Sequence, residues 1–170
     1  SNLAILGRGL GHLLFFFGRR RRMIATVNLS WCFPELDDAQ RRRLAKASFL
    51  ALGKSILDRI VLWWGSKERI ESLVTVVGEE KIRALQAAGR PIILLAPHFM
   101  GLDAGGVAIA MRFDSVTIYA PQRNAVFDRV FYKGRHRFGN QLILSRHDGA
   151  RSTIKAMRSG RPFYYLPDLN

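Results

Sequence analysis

The spacing of apolar residues changes near residue 74, and the change divides the chain into two predicted parts. Before it, Pro34 predicts a turn, Asp37 or Asp38 predicts a helix start, and Trp63-Trp64 ends that helix. One stripe of this helix is apolar: Leu44, Phe49, Leu52, Ile56 and Ile60. Residues 1–72 are therefore predicted to form a helical N-terminal portion.

From residue 74 onward, short apolar runs alternate with amphipathic stretches. The apolar runs predict strands at 74–78, 90–96, 115–120, 141–145 and 162–166, and the stretches between them predict helices at 79–89, 104–113, 125–139 and 150–160. This alternation is typical of an α/β fold with a mostly parallel sheet flanked by helices. Residues 73–170 are predicted to form that α/β core.

A mostly apolar run at residues 3–17, which contains Arg8 and His12, is followed after Gly18 by Arg19–Arg22. The run is shorter than the ~20 apolar residues that span a bilayer. It is compatible with the tail of a spanning segment or with an interfacial helix. Arginines beside it would attract anionic head groups at about 1 kcal/mol each, although a solvated basic face is the simpler interpretation.

The chain is strongly basic, with 27 Lys and Arg against 13 Asp and Glu and a net charge of +14. This charge predicts an anionic partner but does not choose among nucleic acid, membrane, acidic protein and phosphorylated substrate. No nucleic-acid motif or aromatic platform accompanies the basic residues, so nucleic acid is not predicted. Cys32 is the single cysteine and the four histidines are far apart, so neither a disulfide nor a metal or other cofactor is predicted.

His98 and Asp103 follow the apolar run at 92–96, at the predicted carboxyl end of a strand. Sites in open α/β sheets form at that end. Gly101 permits a tight turn that would bring the two side chains together. A histidine oriented by a carboxylate is a general base near neutral pH, and with no nearby nucleophile the attacking hydroxyl would come from a substrate. The alternatives are a helix cap at Asp103 and a packed histidine.

Four stretches together resemble the lipid A biosynthesis acyltransferases, the lauroyl and myristoyl transferases within the wider lysophospholipid and glycerol-phosphate acyltransferase group. They are "RRRRMIATVNLSWCFPEL", "APHFMGLDAGG" with its H-x4-D block, "YAPQRNAVFDRVFYKGRHRFGN" and "IKAMRSGRPFYYLPD". Pro97 precedes the histidine where phospholipid acyltransferases usually carry Asn, and no F-P-E-G-T block occurs, which favours the lipid A branch. The ends look cut, and we expect the chain to be truncated at both of them.

The resemblance implies the glycerol-phosphate acyltransferase-like fold, with residues 73–170 as its catalytic core. It also implies acyl transfer from acyl carrier protein to a hydroxyl of a Kdo-bearing lipid A precursor, at the cytoplasmic face of the bacterial inner membrane and in contact with membrane lipids. His98 would be the base and Asp103 its orienting partner.

The same resemblance assigns substrate-binding roles to four further residues. Arg135 would bind the oxyanion or a phosphate, unless it is a solvated helix charge, and Asp168 is either a site residue or a turn residue. The four are Arg123, Arg135, Arg146 and Asp168. Two alternative functions stay open: a phospholipid or ornithine-lipid O-acyltransferase with the same chemistry, and a non-catalytic basic module that binds membrane or anions.

Overall fold

The computed structural model describes residues 2–168 and separates into two compact units, residues 1–60 and 61–170. The division falls inside the long third helix, α3 (Asp38–Trp64). The functional division predicted from the sequence, 1–72 and 73–170, stays a prediction.

The first unit contains α1 (Asn2–Phe17), α2 (Arg19–Cys32) and most of α3. Glycines allow α1 and α3 to lie backbone against backbone, because a Cβ at Gly53 would stand 2.3 Å from the carbonyl oxygen of Gly7. The start of α3 is fixed by a reciprocal capping pair: the backbone N–H of Gln40 donates to Asp37 Oδ1, and the backbone N–H of Asp37 donates to Gln40 Oε1. The predicted start of this helix and its end at Trp64 are confirmed.

The exposed side of α1 is mostly apolar, although Arg8 and His12 are exposed as well. Its exposed large hydrophobic side chains are Ile5, Leu6, Leu13, Phe16 and Phe17. Among the helices of residues 2–168, none is both long enough and apolar enough to cross a bilayer.

The second unit is an α/β sandwich whose elements follow the predicted alternation. In chain order they are α4 (Lys67–Glu71), α5 (Glu79–Ala87), β1 (Ile93–Leu95), α6 (Leu102–Ala110), β2 (Val116–Tyr119), α7 (Ala125–Arg135), β3 (Leu142–Ser145), α8 (Gly149–Arg158) and β4 (Phe163–Tyr165). The four strands pair only in parallel, in the order β1-β4-β2-β3. The predicted α/β fold with a parallel sheet and a helical N-terminal part is confirmed.

Each face of the sheet packs against different elements. Val116, Phe163 and Leu144 lie on one face and pack against Ala156 and Met157 of α8. The opposite face carries Thr117, Ile143 and Tyr164, which together with α6 line a cavity. Beside that cavity lies a core cluster of Leu62, Trp63, Ile70 and Val107.

Two local expectations differ from the structure. Residues 74–78 form no strand, and Val77 is 91% exposed, because this segment pairs with none of the four strands. The run at 90–96 predicts a buried strand, yet Ile93 and Leu95 of β1 are exposed, and β1 lies at an edge of the sheet. An apolar run therefore identified the strand without identifying its position in the sheet.

Candidate active site

Two adjacent strands end in the same way at the carboxyl edge of the sheet. β1 and β4 are paired so that Leu95 lies opposite Tyr165. Each strand is followed by a residue, a proline and then a polar residue, giving "APH" after Leu95 and "LPD" after Tyr165. His98 and Asp168 are therefore each three positions beyond a matched pair, and parallel strands bring such positions together although they are 70 apart in sequence.

His98 is bound at two points by the carboxylate of Asp168. Its backbone N–H donates to Asp168 Oδ2 at 2.7 Å, and its ring Nδ1 lies 2.7 Å from Oδ1. A ring that donates through Nδ1–H carries its lone pair on Nε2, so this contact selects the tautomer that can accept a proton there. The side chains are 35% and 38% exposed, which leaves the pair accessible from solvent.

The same contacts hold the pKa of Asp168 below its ordinary value. The hydrogen bond from the His98 side chain is the largest cause, and the bond from its backbone N–H is the next. Both bonds favour the charged carboxylate. Asp168 is thus an anion at neutral pH, as the partner of a histidine that gains a proton must be.

Asp103 lies in the first turn of α6 and faces Arg135, the last residue of α7, with Oδ1 3.5 Å from Nη2. Asp103 is only 12% exposed. The guanidinium of Arg135 also lies over the rings of Tyr119 and Phe131, at 5.4 Å and 5.9 Å from their centroids. Acid and aromatic rings together fix the arginine, whose planar group suits both kinds of contact.

The structure thus brings the predicted site residues together in two pairs, His98 with Asp168 and Asp103 with Arg135. The carboxylate on Nδ1 of His98 is that of Asp168, and the orienting role expected of Asp103 stays a prediction. Arg123 lies exposed before α7 and Arg146 lies exposed directly after β3. Both follow carboxyl ends of strands, and their substrate-binding roles stay predictions as well.

A cavity of about 90 Å³ opens between the sheet and α6, next to the Asp103–Arg135 pair. Its wall is mostly apolar, with Val107, Ala110 and Ile143 among its members. Tyr164 also lines it and donates to the carbonyl oxygen of Leu102 at 3.2 Å. Burial, reinforced by the charge of Asp103, raises the pKa of Tyr164 to about 12, so the phenol is neutral at neutral pH.

The resemblance includes the segment from 119 to 135 and implies roles for Arg123 and Arg135, but none for its other polar residues. Tyr119 donates from its hydroxyl to Asp128 Oδ1 at 2.6 Å, and the backbone N–H of Gln122 donates to the same oxygen at 2.7 Å. Asn124 caps α7 by accepting from two backbone N–H groups. These bonds fix the start of the helix that carries Arg135, and the spacing Tyr-x4-Asn-x3-Asp was the available signal.

Two aromatic members of the cavity wall, Trp63 and Tyr164, are not among the site residues predicted from the sequence. The sequence places Trp63 only at the end of a helix and Tyr164 only in a strand. Their positions depend on contacts across the sheet and between α3 and α7, for which a single sequence offers no local signal.

The chain is similar to a family described as bacterial lipid A biosynthesis acyltransferase, whose model matches residues 1–170. It is 34% identical over 163 residues to the lipid A biosynthesis lauroyltransferase of Escherichia coli (strain K12), covering 96% of this chain and 53% of that protein. It is 33% identical over 167 residues to the myristoyltransferase of the same organism, covering 98% and 50%. A lipid A biosynthesis acyltransferase of Haemophilus influenzae is 31% identical over 165 residues, covering 96% and 52%.

The chain spans about half the length of these curated relatives. The family match nevertheless extends over the whole of it and includes both charged pairs at the carboxyl edge of the sheet. The resemblance found in the four sequence stretches is confirmed. The chain belongs to the bacterial lipid A biosynthesis acyltransferase family.

Proposed function

We propose that this protein transfers a fatty acyl chain from the thioester of acyl carrier protein to a hydroxyl on a hydroxyacyl chain of a Kdo-bearing lipid A precursor. The observation that carries the proposal is the doubly hydrogen-bonded His98–Asp168 pair at the carboxyl edge of the sheet. Family membership supports the acyl transfer.

His98 would act as the general base. Nε2 would take the proton of the acceptor hydroxyl while Asp168 holds the ring and balances the imidazolium charge. The hydroxyl oxygen would then bond to the thioester carbonyl carbon, giving a tetrahedral oxyanion. Collapse of this intermediate would form the ester, break the carbon–sulfur bond and return the proton from His98 to the departing thiolate.

The oxyanion requires a positive group or an N–H donor, and Arg135 is the residue that we propose for it. Its guanidinium is held by Asp103, Tyr119 and Phe131, so little reorganisation would accompany charge development. A phosphate of the acceptor is the other anion that this arginine would bind. Arg123 and Arg146, exposed in loops that follow strand ends, would serve the same anionic acceptor.

The charge and the first unit suit the partners of this reaction. Acyl carrier protein and the phosphorylated acceptor are acidic, and the net charge of this chain is +14. The exposed, mostly apolar side of α1, followed after Gly18 by Arg19–Arg22, has the composition of a helix that lies in an anionic membrane interface. We therefore place the protein at the cytoplasmic face of the inner membrane, in contact with its lipids.

The experiment uses the full-length protein in detergent and acyl carrier protein loaded with a labelled chain. A Kdo-bearing lipid A precursor and a lysophospholipid are offered in separate reactions, each with wild type and His98→Ala. Label that moves only to the lipid A precursor, and only with wild type, is the expected result.

If label moves to the lysophospholipid, the proposed mechanism would stand, but the acceptor would be that of the phospholipid or ornithine-lipid alternative. No transfer to either acceptor, with anion binding intact, would favour the non-catalytic module. Transfer that survives His98→Ala would overturn the catalytic assignment.

A further inference from the structure

One carboxylate, that of Asp128 in the first turn of α7, binds two separate segments at the carboxyl edge of the sheet. Its Oδ1 accepts from the hydroxyl of Tyr119, the last residue of β2, at 2.6 Å, and from the backbone N–H of Gln122 at 2.7 Å. These two bonds, the one from the hydroxyl first, hold the pKa of Asp128 below its ordinary value. Asp128 is thus an anion at neutral pH, and its charge strengthens both bonds.

The bond from Tyr119 connects Asp128 to Arg135. The two residues of α7 are seven positions apart, about two turns, so their side chains lie on the same side of the helix. The ring of Tyr119 lies on that side and is only 8% exposed. Its hydroxyl binds Asp128, and its face lies under the guanidinium of Arg135, 5.4 Å from the ring centroid. A fixed hydroxyl fixes the tilt of the ring against which the guanidinium packs.

The bond from Gln122 connects Asp128 to Arg123. The side chain of Arg123 is exposed in the loop between β2 and α7, but the backbone is held on both sides of it. Gln122 donates its N–H to Asp128, and the side chain of Asn124 accepts from two backbone N–H groups of α7. A loop that is anchored in this way loses less conformational freedom when its arginine binds a ligand.

A purely local role of Asp128 is the alternative. An acid in the first turn of a helix interacts favourably with the helix dipole and would stabilise α7 whether or not a ligand binds. Such a role requires neither a bond from β2 nor one from the loop, and Asp128 accepts both at a single oxygen. Two arginines that we assign to an anionic substrate therefore share one support.

We propose that Asp128 is a positioning residue for the phosphate groups of the acceptor, because it orients Arg135 through Tyr119 and places Arg123 through the backbone of Gln122. The identity of the acceptor rests on the proposed function. Arginines that are held in advance bind phosphate with little loss of side-chain freedom. Loss of Asp128 should therefore weaken recognition of the phosphate groups more than binding of the lipid part.

The test compares the binding of two lipids to the full-length protein in detergent, with no acyl donor present. The lipids are the Kdo-bearing lipid A precursor with its phosphate groups and the same lipid after their removal. Wild type should bind the phosphorylated lipid about 10-fold more tightly, the scale of one hydrogen bond between charged groups. Asp128→Ala should lower this preference to about 3-fold or less, whereas Asp128→Asn keeps an acceptor oxygen and should retain most of it.

Asp114→Ala is the matched control. Asp114 also accepts a backbone N–H, that of Asn140 at 3.1 Å, but it lies before β2, at the opposite edge of the sheet. This variant should keep the wild-type preference. In a variant that carries both Arg123→Gln and Arg135→Gln, adding Asp128→Ala should change the preference no further, because no arginine remains to be positioned.

Equal weakening of both lipids by Asp128→Ala would assign the residue to the stability of α7 alone and overturn the proposal. It would also be overturned if wild type showed no preference, or if Asp128→Asn lost as much as Asp128→Ala. Should Asp128→Ala fail to fold, Tyr119→Phe removes only the hydroxyl bond and should lower the preference, and an unchanged preference would contradict the role. Binding needs no donor, so absence of acyl transfer with this binding pattern intact would count against the proposed function alone.

Discussion

The two charged pairs at the carboxyl edge of the sheet differ in their origin and in their exposure. His98 and Asp168 lie on the segments that leave two adjacent strands, and both are more than one-third exposed. Asp103 and Arg135 lie on two helices beside the cavity, and Asp103 is largely buried. An exposed, hydrogen-bonded histidine suits proton exchange with a substrate, whereas an arginine held by a buried acid and aromatic rings suits a fixed charge.

Because of this difference, replacing the two carboxylates is expected to cause different defects. Asp168 contacts the proposed base directly, at two of its atoms. Asp103 contacts the proposed anion-binding arginine. If the roles are divided in this way, replacing each acid should reproduce the defect of its own partner.

The largest effect is expected for His98→Ala. Loss of a general base slows transfer by about 10²- to 10⁴-fold, because the acceptor hydroxyl then keeps its proton. Initial rates of label transfer measure this effect. His147→Ala is the matched control, since His147 is exposed on the turn after β3 and should transfer at the wild-type rate. Comparable losses in both variants would mean that neither histidine is the base.

Asp168→Asn is expected to be the next most damaging change, at about 10²-fold in kcat. Asparagine can still accept from the His98 backbone N–H, but it no longer offers a charge to the imidazolium. The measurement is the kcat of Asp168→Asn relative to the kcat of His98→Ala. A double variant no slower than His98→Ala alone would show that the two residues act as one unit, and independent losses would separate them.

Asp103→Asn is expected to slow turnover less than His98→Ala, by about 10-fold. Its partner Arg135 remains in place through Tyr119 and Phe131. Rates are compared for Asp103→Asn, Arg135→Gln and the double variant. Losses that fail to add would tie Asp103 to Arg135, whereas a loss shared with His98 would restore the role predicted from the sequence. A wild-type rate for Asp103→Asn would show that Asp103 supports neither Arg135 nor His98.

The smallest effect concerns stability in acid. The folded-state pKa of Asp168 lies below its ordinary value of 3.8, so the unfolded chain takes up this proton more readily than the folded one. The contribution of the carboxylate to stability is therefore complete above 3.8 and is lost as the pH falls through the lower folded-state value. Unfolding curves of wild type and Asp168→Asn should differ near neutral pH and converge in strong acid. A difference that grows with acid would contradict the sign of this shift.

The order of the elements could be predicted because each depends on local spacing. Residues 79–87 repeat apolar positions at helical spacing and end before Gly89, whose φ of 64° suits glycine. The run at 74–78 misled the same reasoning, because β-branched residues indicate a strand only where a neighbouring strand offers hydrogen bonds. Local pattern therefore gave the alternation and overestimated the number of strands.

The candidate site was predicted in part. His98 and its place at a strand end follow from the sequence, because an apolar run that stops before a polar residue identifies the edge of a sheet. Asp168 was also singled out, although as a substrate-binding residue and without His98 as its partner. The sequence predicts the nearest acid, Asp103, as that partner, because proximity along the chain is the only distance that a single sequence gives.

By itself the sequence determined the class of fold, the alternation of helices and strands, the family and the residue types available for chemistry. These depend on period, composition and short motifs, which are properties of neighbouring residues. Only the tertiary structure decided that β4 lies beside β1, and this strand order brings Asp168 to His98, while the packing of α6 and α7 brings Asp103 to Arg135. Strand order and helix packing arise from contacts between distant segments, and the free energy of those contacts depends on the whole core rather than on any stretch of the chain.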